Sequence, residues 1–109
     1  MGKKNDFLPG TLDMLVLKTL TLGPQHGYGI AQHVKQTSDS VLNVEEGSLY
    51  PALQRLLVQG FVKAEWRLSE TNRRARYYSL TPAGRKQYGL EVSQFEQLIA
   101  AIGRVLQTA

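Results

Sequence analysis

Apolar positions recur with a helical period in some stretches of this chain and with a two-residue period in others, and the changes of period mark out its elements. Leu12, Leu15, Val16 and Leu20 form an i, i+3, i+4, i+8 stripe that follows Pro9-Gly10-Thr11 and closes at Gly23-Pro24, which predicts a first helix. A second helix is predicted from about Tyr28 to Thr37, with Tyr28, Ile30, Ala31 and Val34 facing inward, and a polar connection of turn formers covers 38–44. Residues 46–60 read as a third helix whose stripe is Leu49, Leu53, Leu56 and Leu57. Ser48 can cap it, Pro51 falls in a first turn where a missing amide costs nothing, and Gly60 supplies a left-handed stop. Ser48, Pro51, Ala52, Gln54, Arg55 and Gln59 are left on its outer side.

After Gly60 the period falls to two. Val62, Ala64, Trp66 and Leu68 alternate with Lys63, Glu65, Arg67 and Ser69, and Arg76, Tyr78 and Leu80 alternate with Ala75, Tyr77 and Ser79. The two runs predict a hairpin whose polar tip spans Ser69 to Arg74, with Trp66 as a core residue of the first strand. Thr81-Pro82 is an N-cap followed by a proline at the first helical position, opening a last helix to about Leu106. Along it Tyr88, Val92, Phe95, Ile99, Ile102 and Leu106 are spaced 4, 3, 4, 3 and 4, a heptad seam that Leu98 and Val105 widen. Such a seam packs either on the chain's own first helix or on a second copy. A fold this small has few free faces, so a homodimer is expected.

Helix, helix, helix, hairpin, helix is the order of a winged helix-turn-helix with one added C-terminal helix: a mainly α fold with a small β-hairpin. The expected organisation is a loose basic arm over 1–7 carrying Lys3 and Lys4, a DNA-binding domain over 8–81 and a dimerisation helix over 82–109.

A length of 109 residues suits one hydrophobic core, and 42% apolar with 20% charged residues is globular composition. No apolar run approaches a membrane span and no secretory leader pattern opens the chain, so a cytoplasmic protein is expected. The absence of cysteine excludes disulfides, thiol catalysis and cysteine-rich zinc sites. Charge changes the picture through its placement. From Lys63 to Lys86 seven basic residues face two acidic ones, a local +5 in a chain whose total is +4. One concentrated basic patch is the electrostatic footprint of a nucleic-acid contact, although an acidic protein or a membrane surface would also be drawn to it.

The candidate chemistry is therefore recognition, not catalysis. His26 and His33 are seven apart, not at the i, i+4 spacing of a metal-binding pair, and Asp13 and Asp39 have no evident partner, so no metal, cofactor or enzymatic site is expected. Small and hydrogen-bonding side chains at the start of the third helix, with Arg55 farther along, suit a helix entering a major groove. Arg73, Arg74 and Arg76 crowd one hairpin and repel one another unless an anion is shared.

Residues in three separated places carry a resemblance to the PadR family of bacterial transcriptional regulators, in particular its short members with a single C-terminal helix. They are Gly27-Tyr28-Gly29-Ile30, then Gly47-Ser48-Leu49-Tyr50-Pro51-Ala52-Leu53 with Leu56, and Arg74-Ala75-Arg76-Tyr77-Tyr78-Ser79-Leu80-Thr81 with Gly84. The resemblance implies a winged-helix homodimer that binds double-stranded DNA, represses transcription and is released by a small-molecule effector. It implies Ser48, Tyr50, Pro51 and Arg55 at the major groove, Tyr28 at a phosphate, and Arg73, Arg74 and Arg76 in the wing contact, supported by Asn72 and Lys63. Packing between the second and third helices is the other role open to Tyr28 and Tyr50. Some short members stack flat aromatic drugs on a tryptophan of the last helix. This chain has none there, but Tyr88 and Phe95 could line an apolar cavity. The competing reading is a winged-helix interaction module that has lost DNA contact, against which the retained wing arginines argue.

Overall fold

The computed structural model describes residues 10–108, so the expected basic arm with Lys3 and Lys4 lies outside the described residues. Its elements are α1 (Thr11–Thr21), β1 (Gln25–His26), α2 (Gly27–Thr37), α3 (Glu46–Val58), β2 (Val62–Leu68), β3 (Arg74–Leu80) and α4 (Pro82–Leu106). The strands form one antiparallel sheet in the order β1-β3-β2. Four helices with a small sheet are the winged helix-turn-helix that the hydrophobic pattern predicts.

The core lies where α1, α2 and α3 meet the base of the sheet. Leu17, Ile30, Leu49, Leu53, Leu56 and Val16 are fully enclosed, and Val62 and Tyr78 close the sheet side. Each fully buried aliphatic side chain contributes roughly 1.5–3 kcal/mol relative to exposure. The helix α1 is buried more widely than its predicted stripe, because Met14 and Leu17 are also buried while Leu15 is only half so. It packs against α2, α3, β3 and α4, and a helix enclosed on several sides has no single apolar face.

Three local expectations for α3 are corrected. The helix starts at Glu46 after an N-cap at Glu45, whose carbonyl accepts from the Ser48 and Leu49 amides, so Ser48 lies inside the first turn and does not cap it. Pro51 consequently sits in the second turn, where it removes the amide that would bond the Gly47 carbonyl. Ala52, expected outside, is fully buried, being small enough to let α3 approach its neighbours closely. In α2, Tyr28 points outward at 70% exposure while Ile30 and Val34 are buried, so the inward reading of Tyr28 is also corrected.

Strand β1 was not predicted. Gln25 pairs with Tyr78 and His26 with Tyr77, which makes the wing sheet three-stranded and ties the start of α2 to it. The His26 ring caps α2 by accepting the Gly29 amide on Nδ1 at 3.0 Å, so it is more than the turn or surface residue expected. At the other end of the wing, Thr81 caps α4 as predicted: its Oγ1 accepts from the Gly84 amide at 3.0 Å and donates to the Gly60 carbonyl at 2.7 Å.

Candidate nucleic-acid interface

The outer side of α3 presents Ser48, Tyr50, Pro51, Gln54 and Arg55 to solvent while Leu49, Ala52, Leu53 and Leu56 hold the inner side. Tyr50 is 47% exposed and lies over the first turn of α2, and a Cβ at Gly27 would stand only 3.0 Å from the Tyr50 hydroxyl oxygen. Gly29 makes room in the same way for the Gln25 side chain, whose Oε1 accepts the His26 amide at 2.9 Å. The two glycines flanking Tyr28 are thus spaces for neighbours. Tyr50 packs between the helices and keeps a wet edge, whereas Tyr28 is turned outward beside the His26 ring, its hydroxyl accepting from Gln32 Nε2 at 3.1 Å.

Seven-residue strands β2 and β3 pair from Val62 with Leu80 to Leu68 with Arg74, and the tip is closed by the Ser69 amide on the Arg73 carbonyl at 2.8 Å. Asn72 takes a φ of +63°, a left-handed conformation that asparagine tolerates better than most residues. Its role in the wing is at least that of a turn residue. Arg73, Arg74 and Arg76 are exposed, and the Arg73 side chain has no hydrogen bond or ion pair among the described residues. Arg74 lies over the Trp66 ring at 4.8 Å and Arg76 near the Tyr78 ring at 5.8 Å. Burial pushes the Tyr78 phenol above its ordinary value, against the opposing pull of the Arg76 guanidinium.

Trp66 is not a core residue. The β2 alternation keeps Val62 and Ala64 under the helices, but the strand runs past them, leaving Trp66 58% and Leu68 60% exposed on the same sheet face.

Tyr28, Tyr50, Arg74 and Arg76 come together around a cleft of about 460 Å³ between α2, α3 and the wing, with His26, Trp66 and Tyr78 completing its walls and no carboxylate among them. Six predicted residues do not line it: Ser48 and Pro51 on α3 and Asn72 and Arg73 at the wing tip are exposed outside it, and Lys63 and Arg55 point elsewhere. Lys63 is on the opposite sheet face, in phase with Glu65 and Arg67. Arg55 turns toward α1, where its Nη2 is 2.7 Å from Asp13 Oδ1; Asp13, for which no partner was evident, therefore has one. His26 is the linking residue that the sequence reading missed: its Nε2 is 3.8 Å from Glu70 at the wing tip, and its ring meets Tyr77 edge-on at 5.1 Å.

The family profile of PadR-like transcriptional regulators matches residues 16–90, from the middle of α1 through the wing into α4. The chain belongs to the PadR-like family. Its members are DNA-binding transcriptional regulators, and the described residues include no helix long and apolar enough to cross a membrane. A 37.1 kDa protein of a Streptomyces fradiae transposon is 41% identical over 96 residues; that match covers 88% of this chain, which spans only about a quarter (25%) of the relative. Among solved structures, a transcriptional regulator from Clostridium thermocellum superposes with a TM-score of 0.80 at 30% identity, covering 87% of this chain and 89% of that one. A PadR family transcriptional regulator from Eggerthella lenta gives 0.77 at 31%, covering 92% and 85%.

Proposed function

We propose that this PadR-like chain is a cytoplasmic, sequence-specific repressor that binds a near-palindromic operator as a homodimer. The observation that carries the reading is the acid-free cleft, which Tyr50 of α3, Tyr28 of α2 and Arg74 and Arg76 of the wing line together. A helix in the major groove beside a basic wing on the adjoining backbone is how such a surface meets a duplex. Ser48, Tyr50, Pro51 and Arg55 are assigned to the major groove, Tyr28 to a phosphate, and Arg73, Arg74 and Arg76 with Asn72 to the wing contact, while Lys63, on the opposite sheet face, is not carried into it.

The dimer rests on α4. Tyr88, Val92 and Phe95 are half-buried against the body of the chain, whereas Ile99, Ile102 and Leu106 are 49%, 42% and 78% exposed, as are Leu98 and Val105 beside them. An apolar seam that leaves its own domain halfway along is suited to a second copy, which would set two recognition helices about one helical turn of DNA apart.

Release by a small effector is supported by a space of about 310 Å³ between the start of α1 and α4, lined by Met14, Phe95, Leu98, Gln87 and Glu91 among others. Phe95 lines it as expected and Tyr88 does not, packing instead against the core. Glu91 keeps one enclosed carboxylate oxygen there that has no hydrogen-bond partner among the described residues.

The test is anisotropy of a labelled duplex from upstream of the protein's own gene, at two salt concentrations, against a scrambled duplex. Tighter binding to the promoter, weakening steeply with salt, is expected. Equal weak binding to both would instead favour a protein-interaction module.

A further inference from the structure

Trp66 is the chain's only tryptophan, and more than half of it is exposed on a strand whose alternation would have buried it one helix-width earlier. A large apolar ring held out in water has to be accounted for, and its surroundings are specific. Arg76 is its cross-strand partner, Arg74 lies over its face at 4.8 Å, and the Tyr50 side chain shares the cleft that it lines. None of the residues lining that cleft is acidic. Arginine stacked on indole leaves the rest of the guanidinium fork available for an anion, and the indole N–H is itself a donor. Aromatic rings interleaved with arginines, without carboxylates, form a surface that fits sugars and phosphates better than a protein partner.

The cleft also has a defined place relative to a duplex. With α3 in a major groove and the wing at the minor groove beside it, the strand of backbone dividing the two grooves has to pass between them, over Trp66. We infer that Trp66 is a DNA contact: its indole, braced by Arg74, packs on the sugar-phosphate backbone that runs between the recognition helix and the wing. The inference rests on the DNA-binding reading above and adds to it a residue that contributes contact area without charge.

The experiment uses the single tryptophan as its own probe. Emission of the wild-type chain is followed while the promoter duplex is titrated in, with anisotropy of the labelled duplex read on the same samples. Emission is expected to change and to saturate at the same stoichiometry as anisotropy. Trp66→Ala should weaken binding about tenfold on promoter and scrambled duplexes alike, with an unchanged salt slope because no charge is removed, and Trp66→Phe should fall between. A normal anisotropy titration with constant emission and full affinity in Trp66→Ala would overturn the inference and leave DNA binding standing. Loss confined to the promoter duplex would overturn the backbone assignment in favour of a base contact. No anisotropy change on any duplex would remove the DNA-binding reading and this inference with it. Wild-type emission decides the matter even if the alanine variant fails to fold.

Discussion

Arg55 reaches back from α3 to Asp13 in the first turn of α1, Nη2 to Oδ1 at 2.7 Å, so the arginine proposed above for the major groove is held in an ion pair within the chain. The guanidinium is about half exposed (55%) and the carboxylate largely covered (15%), a partly solvated pair worth at most about 1 kcal/mol.

Asp13→Asn should therefore cost little stability and release Arg55, raising DNA affinity by no more than about fivefold at low salt. Arg55→Ala should lose roughly 1–3 kcal/mol on the preferred sequence and little on scrambled DNA. Anisotropy titrations of both variants decide it, and equal losses on the two duplexes would make Arg55 a phosphate contact.

Replacing Arg73 and Arg74 by Ala should weaken binding to all sequences and reduce the log–log salt slope by about 1 to 2 units, at about 0.9 per phosphate. An unchanged slope would take the wing tip out of the interface.

What the sequence made legible depended on whether the signal was local. The Thr81-Pro82 cap, the β2 and β3 alternation and the leucine stripe of α3 are each decided within a turn or a rung, and each appears where expected. Strand β1 has only two residues and exists because Tyr77 and Tyr78 pair with it from fifty residues away, so no window around Gln25 could show it. The Asp13–Arg55 pair spans 42 positions and is equally invisible to periodicity. Trp66 was misplaced for a different reason: alternation identifies a strand's face but not how far the helices cover it. Among the candidate interface residues, chemistry picked out the arginines, but only the folded arrangement shows that Arg74 and Arg76 share a cleft with Tyr28 and Tyr50 while Lys63 lies behind the sheet.

On α4, Ile99→Lys with Ile102→Glu should leave the fold of the single chain nearly unchanged, because both side chains are about half exposed in it (49% and 42%). Sedimentation should find the wild type dimeric at micromolar concentration and the variant monomeric, with operator affinity falling in step. A wild-type monomer would defeat the dimer.

Gly84 faces the α3–β2 turn so closely that a Cβ would overlap the Phe61 carbonyl, which also accepts the Thr81 amide at 3.1 Å. Gly84→Ala should destabilise the chain by about 1–3 kcal/mol or more, whereas Gly89→Ala, with open space around it, should stabilise by up to about 1 kcal/mol. Urea midpoints of the two variants should move in opposite directions.

Since burial raises the Tyr78 phenol, the folded chain holds that proton more tightly than the unfolded one. Its contribution is intact below the ordinary tyrosine value of about 10 and is lost as pH rises through the folded value. Tyr78→Phe should show a smaller drop in urea midpoint than the wild type between about pH 8 and about pH 10.5. A larger drop in the variant would contradict the assignment.

Strand β1 makes the wing one jaw of a calliper. Because Gln25 and His26 are bonded to the same central strand that carries Arg74 and Arg76, and His26 also caps α2, the gap between Tyr28 and the wing is set by sheet rungs and not by a loop. If the proposed duplex lies in this gap, the opening is set by backbone pairing before the duplex arrives. A duplex whose grooves are spaced differently would have to deform to fit, and sequences that bend cheaply would be favoured even at base pairs that no side chain touches.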